Sequence, residues 1–279
     1  MNNIHKNYWN THQRSVNEKP HGIARVISKR GFCSRSQAEN LVREGRVSLR
    51  GKIVHDPDAP AYENDKILVD GKAVTANAFV YFMMNKPRGY VTTASDEKGR
   101  ATVLDLFREK YSKLYPGKPV PHISPVGRLD AASEGLLLFT NDTKWADIVL
   151  SGADHTKIYR VQIAGHPTAE QLSQMEKGFN VPPRVFGEKE EFMHVVRAIF
   201  HRESDKTSWL EITLDEGKNR EIRRMLAHLG YEVLRLVRIK FCNYELGDLK
   251  QGEIKQIEVS PSSQASREER PQSPCDANE

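Results

Sequence analysis

The chain has 279 residues, with 42 Lys and Arg against 37 Asp and Glu, for a formal charge of +5. That length suits two domains of unequal size and is ample for a buried core. The longest unbroken apolar run, residues 78–84, is far short of the roughly 20 residues that span a bilayer, which argues against a membrane protein. The polar start of the chain has no apolar segment of the kind a secretory signal needs. Three scattered cysteines, Cys33, Cys242 and Cys275, give neither a disulfide framework nor zinc-ligand spacing. These features describe a cytoplasmic, mildly basic protein.

Residues 1–20 read as a flexible segment. Ile23, Val26 and Ile27 then stand at i, i+3 and i+4, one apolar helix face, and Gly31 can end that helix in a left-handed C-cap. Ser34 with Gln37 three residues on is a capping box that opens a second helix. Its buried stripe is Ala38, Leu41 and Val42, and Gly45 ends it. Residues 47–49 and 52–54, around Arg50-Gly51, read as a β-hairpin, and residues 66–69 as a strand before a turn at Asp70-Gly71. Residues 21–75 thus form a small helix–helix–hairpin–strand domain with its arginines on the outer face, followed by a short linker, 76–79.

Beyond the linker, residues 79–84 read as a strand ended by a turn at Lys86-Pro87-Arg88-Gly89, and residues 90–93 resume β character. Residues 136–140 form a buried strand, and residues 157–163 and 209–214 two further strands. Residues 220–229 read as a helix closed by Gly230. Strands and helices interleave without the regular spacing of a doubly wound sheet, so the fold class is α+β. The larger domain covers residues 80–260. Residues 261–279, rich in Pro, Ser, Gln and Glu and without an aromatic residue, read as a disordered tail.

The charge is concentrated in two places. Residues 21–52 hold eight Lys and Arg against two acids, a net +6, and residues 218–240 hold seven against two, a net +5. None of the 18 glycines lies two residues from another, and no phosphate-binding G-x-x-x-x-G-K-[ST] loop occurs. The ten histidines form no HExxH and no His/Cys ligand pair. The chemistry left open needs neither a nucleotide cofactor nor a metal.

Residues 122–135 place Arg128 and Asp130 in a polar loop bounded by Gly127 and Gly135, directly before an apolar strand. On spacing alone, Asp130 is either a nucleophile or base at the mouth of a sheet or the cap of a turn. Gly127-Arg128-Leu129-Asp130 with Ser133-Glu134-Gly135-Leu136-Leu137 resembles the signature loop of RNA pseudouridine synthases. Three further stretches match in order: Asn85-Lys86-Pro87-Arg88-Gly89, then Lys157-Ile158-Tyr159, then residues 216–225. Residues 21–75 resemble the αL RNA-binding domain carried by one bacterial ribosomal-RNA branch of that family. One departure is Glu221, where related sequences often carry Gln.

The resemblance implies a mixed, mainly antiparallel catalytic sheet with flanking helices, and isomerisation of a ribosomal-RNA uridine, most plainly in the large subunit, without cofactor or metal. Asp130 would act at the ribose, as nucleophile or as base, and Arg223 would pair with it and balance its charge. Arg128 would enter the gap left by the displaced base, and Tyr159 would stack on that base and take part in late proton transfer. Lys86 and Pro87 would shape a turn, and Arg224 would lie on a solvated helix face. On the small domain Arg25, Lys29, Arg30, Arg35, Arg43 and Arg46 would contact RNA phosphates, which position the protein without reading sequence. The rival reading is a non-catalytic RNA-binding factor for ribosome assembly that keeps the fold. Loss of Asp130, Tyr159 or Arg223 would favour it, and all three are present.

Overall fold

The capping box at Ser34 is formed in the computed structural model, which describes residues 19–75, 78–93, 99–151, 155–183 and 189–259. The expected flexible start falls outside these residues up to position 18, as do linker positions 76–77 and the expected tail 261–279. The chain divides into two units between Ala78 and Phe79.

In the first unit, β1 (His21–Gly22) leads into α1 (Ile23–Lys29), and α2 (Arg35–Arg43) follows with Gln37 N–H donating to Ser34 Oγ. Gly31, at φ 72°, turns the chain between the helices as a glycine can without strain. The remaining strands are β2 (Val47–Leu49), β3 (Lys52–Val54), β4 (Pro60–Ala61), β5 (Ile67–Val69) and β6 (Lys72–Ala73). They form a four-stranded antiparallel sheet in the order β3-β2-β5-β6, with β4 paired to β1. Ile23, Val26 and Ile27 pack with Ala38, Val42, Val47 and Ile67 in its core.

Arg30 corrects the expectation that every arginine of this unit faces outward. Its guanidinium donates to the carbonyls of Val74, Glu63 and Asp65, and it is half-buried. It ties the end of α1 to the loop before β5, so its donors are used inside the unit.

The second unit opens with β7 (Tyr81–Lys86), α3 (Val103–Leu114), β8 (Ser124–Val126), β9 (Glu134–Thr140) and α4 (Thr143–Ser151). Next come β10 (Lys157–Ala164), α5 (Ala169–Lys177), β11 (Phe179–Val181), β12 (Glu191–Met193), β13 (Arg197–Ser204) and β14 (Thr207–Leu214). Last are α6 (Glu221–His228), β15 (Val233–Phe241), β16 (Tyr244–Glu245) and β17 (Ile254–Gln256). The fold is mixed α+β. Its sheet runs β13-β14-β10-β15-β9-β7-β17, with β16 beside β15 and β8 beside β9. Every pairing is antiparallel except β15 with β9.

Alternation along β7 sends Phe82 and Met84 to one face, against Phe107 of α3, and Tyr81 and Met83 to the other, against Trp145 of α4. Being covered on both faces, β9 is buried along its whole length, which accounts for its unbroken run of leucines. Three boundaries differ from the sequence expectation. β7 begins two residues later and ends at Lys86, whose buried side chain belongs to the strand and not to the turn. Residues 90–93 contribute only a single bridge, Val91 to Thr102. β9 starts at Glu134, so the carboxylate before Gly135 is inside the sheet.

The parallel contact fixes one residue type. Gly135 pairs with Arg238 at φ 100°, and a Cβ there would lie 2.2 Å from the Arg238 carbonyl oxygen. Backbone strain of this kind is of order 1–3 kcal/mol, before the clash is added. Gly135→Ala is therefore expected to destabilise the second unit by about 3 kcal/mol or more. The midpoint of urea unfolding, followed by tryptophan fluorescence, measures the loss.

Candidate active site

The Asp130 loop connects β8 to β9. Gly127, at φ 74°, turns the chain out of β8. Leu129 is buried, and its N–H and carbonyl are both held by the Thr92 hydroxyl, at 3.3 and 2.7 Å. Burial of Leu129 leaves its neighbours Arg128 and Asp130 exposed. Ser133 N–H then donates to the Asp130 carbonyl at 3.0 Å, closing a tight turn.

Two buried charges hold this loop from below. Lys86 Nζ donates to the carbonyls of Ser133 (2.8 Å), Asp130 (3.0 Å) and Pro87 (3.1 Å). Burial lowers the Lys86 pKa to about 8, opposed by the negative charges of Asp130 and Glu134 and reinforced by Arg238. Glu134 receives Arg235 through both Nε (3.0 Å) and Nη2 (2.8 Å), together with Gln251 Nε2 (2.8 Å). Such a bidentate charged pair fixes geometry as well as adding energy.

Above the loop lies a cleft of about 590 Å³, lined by residues that include Arg128, Asp130, Lys157, Tyr159, Arg220 and Arg238. Strand periodicity points Lys157 and Tyr159 to the same face of β10. Tyr159 is buried to 8% exposure at the cleft wall. Lys157 Nζ donates to the Glu216 carbonyl at 3.1 Å, and its pKa is lowered by burial and by Arg238. Arg238 is buried, with Nε donating to the Leu136 carbonyl and its guanidinium 4.7 Å from the centroid of the Phe241 ring. A cation over an aromatic face is favoured by the ring quadrupole.

The guanidinium that meets Asp130 belongs to Arg220, not Arg223: Nη1 lies 3.1 Å from Asp130 Oδ2. Arg220 is the N-cap of α6 in the left-handed conformation, φ 53° and ψ 32°, so its side chain leaves the helix direction and reaches the loop. Arg223, one turn into the helix, donates instead to the carbonyls of Ala132 (3.1 Å) and Val233 (3.2 Å). Burial and the nearby Arg220 lower its pKa, and Asp130 partly offsets this. It braces the loop backbone two residues from the carboxylate. Arg224 is likewise not solvated, since it donates to Glu191 and to the Pro182 carbonyl.

Lys157 and Arg220 lie in stretches that carry the resemblance but have no role of their own in it, Lys86 is expected only to shape a turn, and Arg238 is not singled out. Lys157 was accessible from its i, i+2 relation to Tyr159. Nothing in the sequence announces a left-handed Arg220.

In the first unit, Arg25 is exposed, Arg35 and Arg43 share Glu39, and Arg46 bonds to Asp70 and Glu44. Exposed ion pairs of this kind contribute little and exchange readily, so these arginines can still meet an anion. Lys29 is held by Glu63 at 2.8 Å with only 18% of its side chain exposed, which makes it a poorer candidate. No helix among the described residues is long and apolar enough to cross a membrane.

Comparison with known proteins gives a consistent result. The family model for RNA pseudouridylate synthase matches residues 80–228, and that for the S4 domain matches residues 22–67. Ribosomal large subunit pseudouridine synthase B of Bacillus subtilis is 32% identical over 236 residues, 84% of this chain and 91% of that protein. An uncharacterized RNA pseudouridine synthase of Mycobacterium leprae is 34% identical over 241 residues, 82% of this chain and 86% of the other. A pseudouridylate synthase crystal structure matches with a TM-score of 0.55 at 27% identity, covering 85% of this chain and 96% of that one.

The dependence of the loop on Lys86 can be measured. Lys86→Met leaves the carbonyls of Asp130 and Ser133 without their shared donor, and a buried acceptor so stranded costs about 1–3 kcal/mol. A fall in stability of that size is expected in urea unfolding at pH 7. In the native protein the Lys86 pKa lies near 8, below its unfolded value of 10.5. The unfolded chain therefore holds more protons between those values, and Lys86 makes stability rise with pH across that window. Lys86→Met should remove that rise.

Proposed function

The chain belongs to the RNA pseudouridylate synthase family, and from that premise we propose that it converts one uridine of large-subunit ribosomal RNA to pseudouridine, using Asp130 and no cofactor. The observation that carries the proposal is the exposed Asp130 carboxylate, held by Arg220 at the mouth of a cleft whose wall is Tyr159. The S4 domain of the first unit makes RNA the partner. The name of the Bacillus subtilis relative supports ribosomal RNA of the large subunit as the class of substrate.

The reaction breaks the bond between ribose C1′ and uracil N1, turns the base within the site, and joins C1′ to uracil C5. The proton on C5 leaves and N1 gains one, so atoms balance with no oxidant, reductant or group donor. Asp130 acts at the ribose while the glycosidic bond breaks. Arg220 sets the direction of the carboxylate, while Lys86 and Arg223 hold the backbone from Asp130 to Ser133. Tyr159 provides an aromatic face for the detached uracil and a hydroxyl near the late proton transfer.

Reaching that pocket requires the nucleotide to leave its helix, at a cost of a few kcal/mol. Stacking on an aromatic side chain returns about 1–3 kcal/mol per base. Exposed Arg128, beside Asp130 at the rim, fills the space the base vacates. Arg25, Arg35, Arg43 and Arg46 of the first unit contact phosphates, while Arg30 maintains the unit itself. Lys29 contributes only by giving up Glu63.

Two measurements test this reading. Pseudouridine mapping of ribosomal RNA, with and without the gene, should show a single large-subunit position that reverts to uridine. Purified Asp130→Asn protein should form no pseudouridine on the corresponding transcript while still binding it. An active Asp130→Asn variant, or a change confined to another RNA, overturns the assignment.

A further inference from the structure

Glu221 opens α6 on the cleft wall and is a buried acid, 2% exposed. Its Oε2 accepts a hydrogen bond from Lys218 N–H at 3.3 Å. Its Oε1 is buried and receives no hydrogen bond from any donor among the described residues. At the other end of the same turn is a second carboxyl, that of Glu216, which interacts with the Glu221 side chain. Two interacting carboxylates repel unless one carries a proton, and the buried one, Glu221, is the costlier to ionise. The donor missing at Oε1 is thus supplied if Glu221 is itself protonated.

The surroundings decide which partner holds the proton. Lys218 Nζ lies 2.5 Å from Glu216 Oε1. Desolvation would raise the Glu216 pKa, but hydrogen bonds from Lys218 and Glu221 outweigh it and hold that carboxyl below its ordinary value. Burial, and then the contact with Glu216, push Glu221 up to about 8. The other charges around the pair are Lys157 from β10, which senses Glu221 and Asp215, His194 near Glu216, and Glu191 near Lys218. At neutral pH the proton belongs to Glu221 and the negative charge to Glu216.

This pair closes the turn that delivers Arg220. Residues 216–221 run from β14 into α6, and Arg220 sits between the two acids in a left-handed conformation. For a residue with a Cβ, that conformation is strained and persists only where the surroundings enforce it. The contacts that close the turn around it are Lys218 N–H to Glu221 Oε2, Glu221 N–H to the Lys218 carbonyl, and the Lys218–Glu216 ion pair. We infer that Glu221 is a positioning residue, whose proton, shared with Glu216, holds Arg220 against Asp130, so that ionising Glu221 releases the arginine and slows the isomerisation. The inference rests on the function proposed above.

The test uses the full chain and two readouts. Infrared difference spectra between wild type and Glu221→Gln at pH 7 should contain a protonated-carboxyl band that disappears as the pH is raised through about 8. Single-turnover pseudouridine formation on a large-subunit transcript should fall about tenfold at pH 9, one unit above that midpoint. Glu221→Gln keeps a hydrogen-bond donor toward Glu216 at every pH and should abolish that fall, whereas Glu221→Ala should lower kcat at every pH.

Lys86 titrates in the same range, so an alkaline fall that survives in Glu221→Gln belongs to Lys86 and overturns the inference. A protein without the carboxyl band at pH 7 overturns it too. A wild type that forms no pseudouridine at any pH overturns the proposed function instead, and the infrared band alone then decides the state of the pair.

Discussion

A buried ammonium organises the candidate active site. Lys86 ends β7, yet its Nζ gathers carbonyl oxygens from Pro87, Asp130 and Ser133 and so draws the turn before β9 against the sheet. Keeping the group charged there is unfavourable. A pKa lowered from 10.5 to about 8 corresponds to about 3 kcal/mol at 1.36 kcal/mol per unit. The carbonyls that surround it would be stranded without it, so the alternative of an apolar residue is no cheaper. The result is a carboxylate carried on an exposed loop whose backbone is nevertheless pinned from beneath.

A second constraint meets the first at the start of β9. The sheet is antiparallel except where β15 lies parallel to β9, and that short contact passes through Gly135 with no room for a side chain. Glu134 on one side is clamped by Arg235 from β15, and Leu136 on the other receives Arg238 from the same strand. Thus β15 sets the height of the Asp130 loop over the sheet, and α6, which precedes it in the chain, brings Arg220 and Arg223 over that loop. Asp130 is located by two neighbouring elements that are themselves tied to one strand. This explains how residues 90 positions apart, Asp130 and Arg220, reach hydrogen-bonding distance.

Local signals were legible in the sequence wherever a few residues decide the structure. The Ser34–Gln37 capping box, the hairpin around Arg50-Gly51 and the glycine-bounded loop at Asp130 each follow from short-range chemistry. Charged residues that turn out to be buried were not legible. Lys86 next to proline looks like part of a turn, Arg30 looks like every other base in its cluster, and Arg238 stands among the apolar residues of β15 beside other bases. In each case the partner is a carbonyl or carboxylate distant in the chain, which no periodicity encodes. Exchanging Arg223 for Arg220 has a narrower cause. The resemblance alone implied Arg223, and no short-range signal shows that residue 220 turns left-handed and carries its own guanidinium to the loop.

The two units use positive charge in different ways. In the first, Arg35, Arg43 and Arg46 are exposed and paired with surface acids, so a polyanion can take over those contacts by displacing weakly held partners and counterions. In the second, Lys86, Lys157 and Arg223 are withdrawn from water and have lowered pKa values, with other cations adding to the burial effect. Their donors are directed at carbonyl oxygens of the cleft and its loop, so they fix geometry more than they attract. Exposed charge is screened by salt, whereas buried charge is screened far less and responds to protonation. Ionic strength should therefore act mainly on capture of RNA by the first unit, and pH mainly on the alignment of Asp130 in the second.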